Sequence, residues 1–303
     1  MKLNKKLLKI LYLINRPSGY EKDMINFIIN YCYKIPKVHI ELDDYDNLFI
    51  TRNTTNPTSY PCIVAHLDAV FNFFEPREII EYNNVLSARY IRTKECCGLT
   101  ADDGNGILIA LQLLETFPDL KVCFTVEEEI GANGASHACK NTAFFNDVRY
   151  LIQPDRRGSS DLIVHTNCAD CCSDEFLYDV YETMQQFGYD INSGTFTDIG
   201  VLSQELGISA VNVSCGYKNE HTSLEYCDCN DLENCLNFIY TIITVLPKDK
   251  FYKIPIVKSY TNTTFYNKDV REYHGPLEDS FDDPCKGCTT FDCMRCTRYG
   301  SYY

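Results

Sequence analysis

Residues 98–131, GLTADDGNGILIALQLLETFPDLKVCFTVEEEIG, decide the fold. Ile107, Leu108, Leu111 and Leu114 recur at helical spacing, and Val122, Phe124 and Val126 alternate as a strand does. Asp102-Asp103 stands just before that helix and Glu127-Glu128-Glu129 just after that strand, so two carboxylate clusters meet at one edge of a sheet. Like charges so close repel unless a cation lies between them, which makes a metal site the simplest inference. The alternative, a solvated acidic turn, weakens with each further ligand type that arrives at a strand end.

Further ligands do arrive. The short apolar run 61–65 reads as a strand buried on both faces, and it delivers His66-Leu67-Asp68 at its end. A strand over 148–152 leads to Pro154-Asp155, and a strand over 208–213 leads to a loop holding His221. An aspartate two residues beyond a histidine can hold the imidazole's second N–H, the role expected of Asp68. His39, His137, His165 and His274 lack such a setting and read as surface residues.

Around this frame, residues 2–15 place Leu3, Leu7, Ile10, Leu11 and Ile14 on one helical face, and Pro17-Ser18-Gly19 separates that helix from a second over 21–33. Strands are expected over 38–42 and 48–50, near 79–82 and 85–88, and over 160–164. Helices are expected over 135–140, 173–187, 231–246 and 197–206, the last capped by Thr197 and closed by Gly207. With no internal repeat and no low-complexity linker, residues 1–247 read as one domain. Its fold class is α/β, a three-layer α/β/α sandwich around a largely parallel sheet, with ligands bound beyond the carboxyl ends of the strands.

Composition narrows the function. At 45% hydrophobic residues a chain of 303 has ample core, and a net charge of −14 argues against a nucleic-acid partner. Seventeen cysteines are an odd number that cannot all pair, and adjacent pairs such as Cys96-Cys97 and Cys171-Cys172 do not suggest a small secreted framework in so long a chain, so a reducing cytoplasm is expected. Lys9 interrupts the first apolar run, and no stretch reaches the length of a membrane span.

Two histidines and three carboxylates on separate strand ends suit two Zn²⁺ ions about 3.5–4 Å apart, bridged by one carboxylate, with a further glutamate left as a base. The segments AHLDAV (65–70), TADDGNG (100–106), TVEEEIGANGA (125–135), QPDRRG (153–158) and NEHTSLE (219–225) resemble, in order, the five motifs of the zinc-dependent exopeptidase superfamily. That superfamily includes peptidase T, the single-domain bacterial leucyl and glutamyl aminopeptidases and acetylornithine-deacetylase-like enzymes, and PSGYE and DDYDNLFI resemble its framing segments. The resemblance implies that Asp102 bridges two divalent ions, that His66 and Asp155 complete one and Glu129 and His221 the other, and that Glu128 is the general base. Asp68 would orient His66, Asp103 would support the ligands, and the peptide bond between Asp102 and Asp103 would be cis. Zinc is the expected metal, with cobalt or manganese as alternatives.

Two departures matter. The intervals from Asp155 to His221 and from His66 to Asp102 are too short for the separate lid domains of other branches, which places this chain nearest the single-domain aminopeptidases. Residues 248–303 match nothing in the superfamily; they hold Cys285, Cys288, Cys293 and Cys296, two CxxC pairs of the kind that bind a structural zinc. The expected activity is hydrolysis of peptides or peptide-like amides from the amino end. A deacylase of N-acyl amino acids and a non-catalytic metal- or partner-binding module are the rivals. Oligomeric state is not legible.

Overall fold

A computed structural model of the chain describes residues 1–166 and 170–255. Helices α1 (Lys5–Leu13) and α2 (Lys22–Cys32) open the fold. Leu7, Leu8, Leu11 and Tyr12 are buried on α1 while Ile10 is exposed, so the buried face is rotated from the expected one. Two strands follow, β1 (Val38–Leu42) and β2 (Leu48–Asn53), paired antiparallel around a turn in which Asp43 accepts the N–H of Tyr45 and of Asn47.

Strand β3 (Tyr60–His66) is buried at every position. The strands expected near 79–82 and 85–88 form as β4 (Arg77–Tyr82) and β5 (Val85–Tyr90), with β6 (Cys96–Cys97) beside β5. The decisive stretch becomes α3 (Ala101–Thr116) and β7 (Asp119–Thr125). After α4 (Asn133–Ala138) and α5 (Thr142–Phe145) come β8 (Val148–Arg156), β9 (Asp161–His165), α6 (Asp174–Phe187), β10 (Asp190–Ser193), α7 (Asp198–Leu206) and β11 (Ala210–Ser214). Two very short strands, β12 (Tyr217–Lys218) and β13 (Tyr226–Asp228), precede α8 (Cys229–Val245). Gly207 closes α7 in the left-handed region as expected, but Thr197 does not cap it: its hydroxyl donates instead to Gln153 Oε1 at 3.2 Å.

The central sheet runs β1-β2-β7-β3-β8-β11-β9-β10 among the described residues. Its middle block, β7, β3, β8 and β11, is parallel, as expected; at one edge β2 is antiparallel to β7 and to β1, and at the other β9, parallel to β10, is antiparallel to β11. Physical limits set each edge. The hairpin turn makes β1 and β2 antiparallel, and the four residues between β8 and β9 are too few for a crossover, so β9 turns back and lies antiparallel to β11. Side chains alternate across the sheet: Ile63 and Ala65 of β3 join the core formed with α1, α3 and α8, whereas Cys62 and Val64 join the core under α4, α5 and α7. The result is an α/β/α sandwich. In a second sheet, β12-β13-β5-β4, the strands β4 and β5 were expected but β12 and β13 were not, because strands of two or three residues carry no readable alternation.

One close contact fixes the turn after β7. Gly134 donates its N–H to Val126 O, and a Cβ there would stand 2.2 Å from that oxygen and 2.6 Å from Asn47 Oδ1. Gly134→Ala is therefore expected to cost about 1–3 kcal/mol in denaturant unfolding, since backbone and a bonded amide must move. Wild-type stability in that variant would show that the turn yields freely.

Candidate active site

Four neighbouring strands end on the same side of the sheet, and the candidate residues collect there. His66 is the last residue of β3, is 1% exposed, and points Nε2 to within 2.9 Å of Asp102 Oδ1 and 3.4 Å of Asp155 Oδ1. The other Asp102 oxygen, Oδ2, lies 3.3 Å from His221 Nε2, which in turn is 3.0 Å from Glu129 Oε2. The five expected ligands thus form one row, Asp155, His66, Asp102, His221 and Glu129, with Asp102 in the middle and one of its oxygens turned to each half. Donors about 2.0–2.2 Å from a tetrahedral zinc stand roughly 3.3 Å from one another, so the donor types and spacing here suit divalent cations; the sets whose ligand atoms all lie within 4.8 Å of one another are His66 with Asp102 and Glu129, and His66 with Asp103 and Asp155.

The supporting contacts explain why the row holds. Asp102 and Asp103 have non-helical backbone inside the first turn of α3, and the bond between them is cis, as the resemblance implies. Asp103 accepts the N–H of His66 at 3.2 Å and of Gly106 at 2.8 Å. It also lies within a ligand set with His66 and Asp155, but two backbone bonds suit a supporting residue better. A Cβ at Gly106 would stand 2.3 Å from the Asp103 carboxylate, which accounts for the glycine. Asp68 is fully buried and does more than face His66. Its Oδ1 lies 3.3 Å from His66 Nδ1, a separation without full hydrogen-bond alignment, and its two oxygens accept the N–H groups of Glu128 and Glu129 at 3.0 and 3.1 Å. Ser18 donates to it as well, at 2.7 Å. Asp155 is fixed by Gln153 Nε2 on Oδ2 at 3.0 Å, which leaves Oδ1 for His66.

Three further residues matter that sequence reading passed over. Glu225, 1% exposed, accepts four successive backbone N–H groups, from Leu99, Thr100, Ala101 and Asp102, at 2.7–3.1 Å, and so ties the His221 loop to the start of α3. Arg16, also 1% exposed, donates to the carbonyls of Leu67, Asp68, Thr100 and Asp102, joining the two loops that carry His66 and Asp102. Asp198 is buried; Oδ2 accepts from Thr125 Oγ1 and Oδ1 has no hydrogen-bond partner. Elsewhere, His137 pairs with Asp44, stacks on Tyr45 and meets Lys140, a surface arrangement. Cys285, Cys288, Cys293 and Cys296 lie outside the described residues.

Charge is concentrated here. Burial pushes Asp155 and Asp198 up to about 7, and burial with nearby acids pushes Glu128 and Glu129 upward. Hydrogen bonds to Asp102 and Glu129 raise His221 to about 11, and the same imidazoles hold Asp102 low against the effect of burial. In an unfolded chain carboxyls titrate near 4 and imidazole near 6.5. Between about pH 4 and 7 the unfolded chain therefore releases carboxyl protons that the folded, metal-free chain keeps. Histidine extends the same sign above about 6.5, and the depressed Asp102 acts only below 4. Stability of the metal-free protein is expected to fall as pH rises from 5 to 8, with added zinc raising the melting temperature most at pH 8. A chelated protein whose melting temperature climbs over that range would contradict the site's electrostatics.

The row opens into a cavity of about 300 Å³ whose lining includes Asp102, Glu128, Glu129, Asp155 and His221 together with Arg156, Arg157, Phe196 and Tyr217. No family model matches the chain, and no curated protein matches its sequence. Solved structures do match. An aminopeptidase PepT from Bacillus cereus superposes with a TM-score of 0.65 at 13% identity, over 80% of this chain and 98% of that one. A tripeptidase from Staphylococcus aureus gives 0.63 at 14%, over 81% and 99%, and an aminopeptidase from the archaeon Desulfurococcus kamchatkensis gives 0.62 at 16%, over 80% and 95%. At such identities the likeness establishes the fold.

Proposed function

We propose that the chain is a metallo-exopeptidase of the zinc-dependent exopeptidase superfamily, an aminopeptidase that uses two divalent cations on peptides or peptide-like amides. The observation that carries this reading is Asp102, whose two oxygens face imidazoles from different parts of the fold at 2.9 and 3.3 Å. His66 and Asp155 would hold one ion, Glu129 and His221 the other, and Asp102 both. Two imidazoles with carboxylate oxygens suit zinc, and cobalt or manganese could take the same donors. When bound, the ions would acidify a water and polarise the scissile carbonyl.

The rest belongs to the chain. Glu128 lines the cavity, its backbone N–H bonds Asp68, and its carboxyl makes no hydrogen bond to a described residue, which supports reading it as the base that would take a proton from the attacking water and return it to the leaving amine. Glu127 is not placed for this: Tyr45 and Asn133 already donate to its carboxylate at 2.7 and 3.2 Å. Buried thiols such as Cys62, Cys123, Cys215 and Cys235 fit a reducing, cytoplasmic setting. Among the described residues no helix is long and apolar enough to cross a membrane.

The test is a product assay on purified protein with zinc. Free amino-terminal residues should be released from unblocked peptides, with no acetate from N-acetyl amino acids. Acetate release alone would make it a deacylase. Neither product, from protein that binds zinc, would make it a non-catalytic module.

A further inference from the structure

Asp198 is a buried acid that the proposed reaction does not use. It is the first residue of α7, it is fully buried, and it forms no ion pair with a lysine or arginine among the described residues. Thr125 Oγ1 donates to its Oδ2 at 2.5 Å, and Oδ1 has no hydrogen-bond partner. A buried carboxylate left half-bonded is costly unless a donor answers it. Its place in the fold shows which donor is near. Thr125 is the register partner of His66 on the neighbouring parallel strand. Side chains alternate along β3 and β7, so His66 and Thr125 share the sheet face of Cys62, Val64 and Cys123, the face that Ile199 of α7 covers. Asp198 therefore meets the sheet beside His66.

His66 has the complementary need. With Nε2 turned to Asp102 and Asp155, its Nδ1 is buried and makes no aligned hydrogen bond, although Asp68 Oδ1 is 3.3 Å away. A metal-bound imidazole is held by a carboxylate, carbonyl or water on its second N–H. Asp68 is already engaged by the N–H groups of Glu128 and Glu129 and by the hydroxyl of Ser18. Asp198 Oδ1 is not engaged. We infer that Asp198 is a positioning residue for His66: its free oxygen takes the Nδ1 proton, directly or through one water, and so strengthens binding of the cation held by His66 and Asp155 more than that of the cation held by Glu129 and His221. This assignment rests on the two-cation reading above.

The test measures zinc binding and not turnover. Full-length protein stripped of metal is titrated with zinc by calorimetry, as wild type and as Asp198→Asn, with folding checked by thermal unfolding. The substitution keeps the size of the side chain and an oxygen for Thr125, but it turns an NH2 group towards the Nδ1 proton. One of two zinc ions is then expected to bind roughly 10–100-fold more weakly while the other changes little. Equal weakening of both ions, the mark of a purely structural role, or no weakening at all would overturn the inference and leave the two-cation reading standing. Fewer than two zinc ions in wild type would remove that reading and the inference together. Where the variant does not fold, the zinc-bound crystal structure of the wild type decides. Asp198 bonded to His66 Nδ1, directly or through one water, upholds the assignment; its absence from the surroundings of Nδ1 refutes it.

Discussion

Glu128→Gln is expected to lower turnover roughly 10²–10⁴-fold while leaving fold and metal content intact. The substitution keeps size and hydrogen-bonding capacity but removes the group proposed to accept and return the proton. The effect should appear in kcat and in kcat/KM alike, because the proton moves in the transition state and not on binding. Glu128 is free for that work because its neighbours are engaged: Glu127 by Tyr45 and Asn133, Glu129 by His221, and Asp68 by the N–H groups of Glu128 and Glu129. Near-normal turnover in a variant that still binds zinc would remove Glu128 from the mechanism.

The second large effect is expected from removing divalent cations. Chelation should abolish turnover, and zinc should restore it, since among the described residues lining the cavity there is no serine or cysteine to replace an activated water. Stability should follow. Each site filled at about 100 times its dissociation constant adds about 2.7 kcal/mol, and two such sites in a domain of this size shift the melting temperature on the order of 10 °C. The physical reason is the row of acids: without cations between them, Asp155, Glu128 and Glu129 are held in protonation states that an unfolded chain does not share. Turnover that survives complete chelation would exclude metal-dependent hydrolysis.

The site was legible in the sequence to the extent that its residues end buried strands. His66 follows a run with no exposed position, and Glu128-Glu129 follow another, so polar groups there needed partners. Asp155 and His221 follow weaker signals, and only the order of the motifs linked them to the rest. Arg16 could not be found this way: before Pro17 it looks like an ordinary basic residue closing a helix, and its four carbonyl partners come from two distant loops. Glu225 stood inside a quoted motif, yet its role depends on four amides more than a hundred residues away. Asp198 read as the first residue of a helix, and its buried, half-unpartnered carboxyl appears only once the start of α7 meets Thr125 at the end of β7. The rotated face of α1 has the same origin, because Leu8 and Tyr12 are buried by neighbours from elsewhere in the chain.

Anomalous scattering at the zinc edge, from crystals of the full-length protein grown with zinc, tests the central claim most directly. The account predicts two peaks flanking Asp102, one against His66 and Asp155 and one against Glu129 and His221. A single peak, or two that do not share Asp102, would contradict it.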